Sequence, residues 1–305
     1  MSDRERVFAP LDPDGPHVVA LGGGHGLAAT LRAARLYAGQ ITAVVSVADD
    51  GCSSGRLRRD YPVLPPGDLR KCLVALAAHE SVWTRAFDHR FEGGELDDHA
   101  LGNLILAGLE QVTGDPRDAV EIAANLLEVV GDVVPATLEP VTLTAEVDGT
   151  RVVGQVVIMH SAGRIQRLSL RPGRPEAAPA ALESIATADQ VVLAPGSLYT
   201  SLLPVVCVPA IGAALVETEA HVVQLANLEP EVPETTGMTG EEHLAAVLDH
   251  GGRVDEYLYD PAAALRVDPT AIAALGVKAS PAAVADPDGR VHDPARLAEA
   301  LAALL

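Results

Sequence analysis

The sequence predicts an α/β fold: a doubly wound, mostly parallel sheet with a helical insertion and a β-hairpin. Three observations predict it. "HVVAL" (17–21) reads as a short buried strand that runs directly into "GGGHG", and "LAATLRAARLYA" (27–38) then has helical composition and spacing. "ITAVVSV" (41–47) is the next strand. The alternation resumes at "QVVLAPGSLYTSLL", where a strand over 190–194 meets a Pro-Gly-Ser turn, and at "HVVQLANL" (221–228). Strand, glycine loop, helix, strand is how doubly wound sheets begin, and their ligands bind at the carboxyl ends of the strands.

The remaining elements follow in order. "VSVADDGCSSGRLRRDYPVLPPGDLRK" (45–71) reads as one long polar connection. From Pro66 to about Val130 the pattern is helical, through "DLRKCLVALAAH", "SVWTRAFDHRF", "HALGNLILAGLEQV" and "PRDAVEIAANLLEVV", with no strand run between them. "VTLTAEVDGTRVVGQVVI" (141–158) alternates β-branched residues around Asp-Gly, which signals a hairpin, and "GRIQRLSLRP" adds a further strand. "TGEEHLAAVLDHG" carries a helix start and a glycine stop. A short strand, small helices and the terminal helix "DPARLAEALAALL" follow Val254. With no internal repeat and no dividing linker, the expectation is one Rossmann-like domain over 1–305, with its insertion at about 66–130 and a C-terminal part from about 251.

Composition excludes several functions. At 305 residues and 48% hydrophobic, the chain can bury a sizeable core. Only 3% aromatic residues leave little for stacking nucleic-acid bases, and a net charge of −20 opposes extended contact with nucleic acid or an anionic membrane. Arg56, Arg58, Arg59, Arg70 and Lys71 are five of the 22 Lys plus Arg residues, a local cationic exception. Cys52, Cys72 and Cys207 fit neither a metal spacing nor a disulfide framework, and "MSDRERVFAPLDPDG" lacks an apolar signal core, so a cytoplasmic location is expected. Val191 to Val216 is uncharged, but its Pro and Gly residues read as strand, turn and helix of a core rather than a membrane span.

Candidate site residues gather at the strand ends. Gly22, Gly23, Gly24 and Gly26 lie between strand and helix, where backbone amides can approach an anion; the alternative is a tight structural turn. His25 either donates to that anion or is simply solvated. Asp49 and Asp50 offer oxygen ligands to Mg2+, or an acceptor to a sugar hydroxyl, or form a capping turn. Ser53 and Ser54 add hydroxyls suited to phosphate. Asp68 reads as a cap for a helix beginning near Leu69, while His99 and Asn103 face one way if both are helical. Gly102 implies close packing, which leaves Asn103 as a core polar group or a ligand contact. "APGSLYTS" repeats the glycine-and-hydroxyl arrangement with Gly196, Ser197, Thr200 and Ser201, and it is not the GxSxG of a hydrolase. Three such strand ends suggest one shared crevice.

These stretches, with "LGNLILAGL", "VVLAPGSLYTSLLP" and "NLEPEVPET", occur in the order that marks the gluconeogenesis-factor family, the YvcK-type UDP-sugar-binding proteins of the 2-phospho-L-lactate transferase (CofD-like) superfamily. The chain resembles that family over about residues 17–250. The resemblance implies a cytoplasmic protein that binds UDP-N-acetylglucosamine or a related UDP-sugar. It also implies a part in cell-wall precursor balance and cell shape; a cell-wall regulatory protein partner and a homodimer are separate expectations that the sequence itself does not identify. By motif match it implies ligand contacts from Gly23, Gly24, Gly26, Asp49, Asp50, Ser53, Ser54, Asp68, Asn103, Gly196, Ser197, Thr200 and Asn227. The related transferases use Mg2+ and a nucleotide-linked substrate, so a Mg2+-dependent transferase is a second reading and a NAD-dependent oxidoreductase a third. Four positions depart from the family pattern, one of them Ala100 in place of a serine or proline. Cys52 and Pro233 each stand where glycine is usual, and Val291 stands where arginine is.

Overall fold

The computed structural model describes residues 10–305, so the first nine residues of the segment that argues against secretion lie outside the described part. β1 (His17–Gly22), α1 (Gly24–Ala34) and β2 (Gln40–Val45) open the chain. Five helices come next: α2 (Cys52–Asp60), α3 (Pro66–Leu76), α4 (Val82–Asp88), α5 (Leu101–Thr113) and α6 (Pro116–Leu126). Then follow β3 (Asp132–Pro135), β4 (Thr142–Val147), β5 (Thr150–Val153), α7 (Gln155–Met159), β6 (Ile165–Arg171), α8 (Pro179–Thr187) and β7 (Gln190–Leu193). A wide helical turn (Leu198–Leu202), α9 (Leu203–Val206) and α10 (Pro209–Glu217) lead to β8 (His221–Leu225). α11 (Gly240–Asp249), β9 (Glu256–Tyr259), α12 (Pro269–Ala274), β10 (Lys278–Pro281) and α13 (Pro294–Ala302) complete it.

Seven strands form one parallel sheet in the order β10-β9-β8-β7-β1-β2-β3. The chain grows outward from β1 in one direction and then from β7 in the other, so the topological switch lies between those two strands. Their alternate residues serve opposite faces, which is why they read as unbroken apolar runs. Val19, Leu21, Val191, Leu193 and Val222 belong to one core. Val18, Ala20, Ile41, Val192 and Val223 belong to the other, beneath α1, α3, α6 and α13. β4 pairs antiparallel with β5 and β6 in a small second sheet, and Asp148 and Gly149 both take positive φ at the hairpin, as its tight turn requires. Leu143, Ala145, Leu168 and Leu170 seat that sheet on the first core.

Several local expectations change. β3 is an added strand, hidden in the sequence because "DVVP" is short and sits beside helical "NLLEVV". α1 starts at Gly24 rather than Leu27, so the glycines form its first turn. The connection over 45–71 contains a full helix, α2, and residues 155–158 of the expected hairpin are helical instead. Among the described residues no single helix is long and apolar enough to cross a membrane. The uncharged stretch after Val191 is cut by a bend of 74° between Leu198–Val206 and Pro209–Glu217.

Candidate functional site

The glycine loop is built for close approach. Gly24 has φ +66, the left-handed region, and Gly196 on the neighbouring loop has φ +121, so both positions favour residues without a Cβ. A Cβ on Gly26 would collide with the Pro195 carbonyl, which makes glycine the condition for packing the loops after β1 and β7 back to back. A Cβ on Gly23 would collide with the Asp68 carboxylate and lie 3.3 Å from the Ser201 Cβ. The loops after β1 and β7 and the start of α3 therefore converge at the switch point.

α2 and α5 reach the same place. A Cβ on Gly67 would stand 2.7 Å from Ser54 Oγ, 3.0 Å from Asp49 Oδ2 and 4.0 Å from Asn103 Nδ2. The Gly67 amide donates to Ser54 Oγ at 3.1 Å. Ser53 Oγ is 2.9 Å from His99 Nδ1, both residues buried. Asn103 is 3% exposed, and its Oδ1 has no hydrogen-bond partner among the described residues. A buried amide oxygen left unpaired costs stability unless water or a ligand serves it.

Four helix N-termini thus meet, those of α1, α2, α3 and α5, with Gly23, Gly51, Pro65 and Ala100 as their first flanking residues and no side-chain cap on any of them. First-turn amides and the helix dipoles make such ends favourable to negative charge, although in α3 Ser54 already serves the Gly67 amide. Among the helices elsewhere, α4, α6, α12 and α13 carry Ser81, Asp115, Asp268 and Asp293 as their own caps, whereas α8 and α10 are also uncapped, so it is the convergence of the four ends rather than the missing caps that marks the crevice.

Individual roles now separate. Asp49 uses Oδ1 to accept from the Gly51 amide at 2.9 Å, and burial, with the Asp68 charge second, raises its carboxyl above the ordinary carboxylate range. Asp50 faces elsewhere: its two oxygens accept from the Gln155 and Val156 amides at 2.8 and 2.9 Å, capping α7. The expected Asp49–Asp50 metal pair is corrected accordingly, because adjacent residues at the end of an extended segment point to opposite sides. The carboxylate that neighbours Asp49 is Asp68. It sits inside the first turn of α3, two residues past the start, rather than capping it, and accepts from Lys71 Nζ at 3.0 Å. His99 precedes α5, so it and Asn103 meet the crevice from a loop and a helix rather than from one helical face.

The other expected residues also have places. His25 lies in the first turn of α1 with part of its surface open to solvent, and partial desolvation of the ring, then the Lys71 charge, lowers its pKa. Ser197 flanks the helical turn after β7. Asn227 clamps the Gly196 loop through both ends of its amide: Oδ1 accepts from Gly196 N at 3.1 Å and Nδ2 donates to Gly196 O at 2.8 Å. Thr200 Oγ1 donates to Glu234 at 2.9 Å, and the Tyr199 and Thr200 amides donate to the same carboxylate. Glu234 is a site-supporting residue that its place beside Pro233 did not disclose, and burial pushes its carboxyl up to about 7. Arg58, readable as a solvated charge, instead donates to the Asp49 and Val141 carbonyls, tying the β2 loop to the second sheet. Nothing in the local sequence distinguishes it from Arg59.

Among the described residues no three His, Cys, Asp or Glu side chains gather as a metal centre. A concavity of about 1020 Å3 opens at the other end of the sheet against β3, α6 and α8, and none of the crevice residues lines it.

Fold and site together define a class: a doubly wound α/β protein with a glycine cradle, two carboxylates and converging helix ends at its switch point. The family model of 2-phospho-L-lactate transferase CofD matches residues 18–283, and the chain belongs to that family. Within it, the chain belongs with the gluconeogenesis factors. It is 41% identical over 239 residues to the gluconeogenesis factor of Bacillus subtilis, covering 78% of this chain and 75% of that one. A Nostoc relative is 44% identical over 235 residues, which cover 76% of this chain, and the chain spans about half that protein's length, 52%. A solved UPF0052-family protein of Bacillus halodurans superposes with TM-score 0.91 at 37% identity, covering 94% of this chain and 99% of that chain.

Proposed function

We propose that this protein is a cytoplasmic nucleotide-sugar-binding regulator, with a UDP-N-acetylglucosamine-like ligand lying across the β1–β7 switch point. The observation that carries it is the meeting of four uncapped helix N-termini around Asn103 in a chain of net charge −20. A diphosphate suits the α1 amides over Gly24–Gly26, and the sugar hydroxyls suit Asn103, Asp49 and Ser54, which supply acceptors and donors within a few ångströms of one another. A role in cell-wall precursor balance and cell shape, exerted through a protein partner or a homodimer, is the regulatory output of this reading.

Calorimetric titration with UDP-N-acetylglucosamine, UDP-glucose, NAD and GDP tests it. Saturable heat from the UDP-sugars is expected; silence from both, with heat from NAD or GDP, would discard it.

A second reading is favoured by the family model's printed name and by the Asp49–Asp68 pair. In it the protein is a Mg2+-dependent transferase acting on a nucleotide-linked substrate. Two carboxylates together with a ligand's phosphate oxygens suit Mg2+, which keeps few protein ligands. Bound there, the ion would offset charge developing on a leaving phosphate. Mg2+-dependent consumption of a nucleotide-linked substrate, lost in Asp49→Asn, would favour this reading.

A further inference from the structure

Beside the crevice, and sharing with it His25 of the glycine loop and the Asp68 partner Lys71, α1 and α3 enclose a pocket of about 280 Å3 whose lining is cationic. His25 and Arg32 project from one face of α1, and Arg70 and Lys71 come from α3. Arg90 and Asp88 complete the wall from the segment around the end of α4. Four permanent cations and one carboxylate thus surround a small space in a chain whose net charge is −20.

Arg32 is not neutralised within the fold, and Arg70, though ion-paired with Asp88, keeps one donor unserved. Arg32 makes no ion pair or hydrogen bond among the described residues. The Arg70 side chain is 6% exposed; its Nη1 donates to the Asp88 carboxylate and to the Phe87 carbonyl at 3.3 Å, yet its buried Nε has no partner. An unpaired donor on a buried guanidinium is costly and calls for an acceptor. His25 reports the same field, its pKa lowered by burial and then by Lys71, with smaller contributions of the same sign from Arg70 and Arg32 against the opposing charge of Asp68.

We propose that this pocket is a second anion site that takes a phosphate group, independently of the nucleotide sugar in the crevice. Guanidinium groups from two elements offer planar, paired donors to a tetrahedral anion, and a dianion with several acceptor oxygens can serve donors from Arg32, Arg70, Lys71 and Arg90 together. Asp88 is the internal anion already in contact with Arg70, and a bound phosphate has to work against its charge.

The test is calorimetric titration of the full chain with inorganic phosphate and, separately, with glucose 6-phosphate, using the wild type, Arg32→Gln and Asp88→Asn. The site predicts one-to-one phosphate binding, weakened at least about fivefold in Arg32→Gln and tightened in Asp88→Asn, since a repelling carboxylate is removed. Tighter binding of the sugar phosphate identifies an esterified source, and equal affinity the free ion. UDP-N-acetylglucosamine binding should be unchanged in Arg32→Gln and should not be displaced by phosphate. No phosphate binding in the wild type, wild-type affinity in Arg32→Gln, or mutual exclusion with the UDP-sugar would overturn the proposal. If UDP-sugars fail to bind while phosphate binding keeps this pattern, the crevice reading falls and this site stands.

Discussion

Cys52 is exposed at φ +40, a left-handed backbone at the entry to α2 that favours glycine. A side chain there strains the backbone, and glycine relieves that strain at some entropic cost in the unfolded chain. Cys52→Gly is expected to raise stability by up to about 1 kcal/mol, seen as a higher urea midpoint at unchanged slope. The neighbouring acids part company under mutation. Asp50→Ala removes the acceptor for two α7 amides and should cost about 1–2 kcal/mol. Asp49→Asn should leave α7 intact in circular dichroism and urea melts but weaken ligand or Mg2+ binding. Glu234 supplies a pH dependence. Its folded-state carboxyl titrates near 7 instead of 4.5, so the native state holds the proton more tightly than the unfolded chain. The stability it contributes is full below pH 4.5 and lost as pH rises through 7, by about 3 kcal/mol at most. Melting temperatures of wild type and Glu234→Gln between about pH 5 and pH 8 should diverge, the wild type falling more steeply; parallel curves would remove Glu234 from the account.

At the scale of elements, the glycine loop is the joint between β1, α1 and the β7 loop. Gly26→Ala drives a methyl into the Pro195 carbonyl, and since backbone cannot yield as a flexible side chain does, a loss of at least about 3 kcal/mol is expected in urea unfolding. Most of this architecture was legible. Buried parallel strands announce themselves as apolar runs, and Asp-Gly between β-branched residues marks the hairpin. What escaped had weak local signals. β3 has only four residues, α2 is too polar to show an apolar period, and α7 depends on Asp50, far away in sequence, to hold its first amides. The candidate site was legible as a set of residues but not as a geometry. The sequence places Asp49 beside Asp50, whereas folding turns Asp50 away and brings Asp68 in.

For the whole molecule, the parallel sheet gathers the carboxyl ends of its strands on one side, and α1, α2, α3 and α5 bring their positive ends to the crevice there. That arrangement concentrates a local attraction for anions within a strongly acidic protein, whose overall field would otherwise repel them. The most direct test of this account is hydrogen–deuterium exchange of the full chain with and without saturating UDP-N-acetylglucosamine. The account predicts slowed exchange at the amides of Gly22–Gly26, Asp49–Ser54 and Gly196–Ser201, with little change around β3, α6 and α8. Protection confined to the large concavity beside β3, with the glycine loops unaltered, would contradict it.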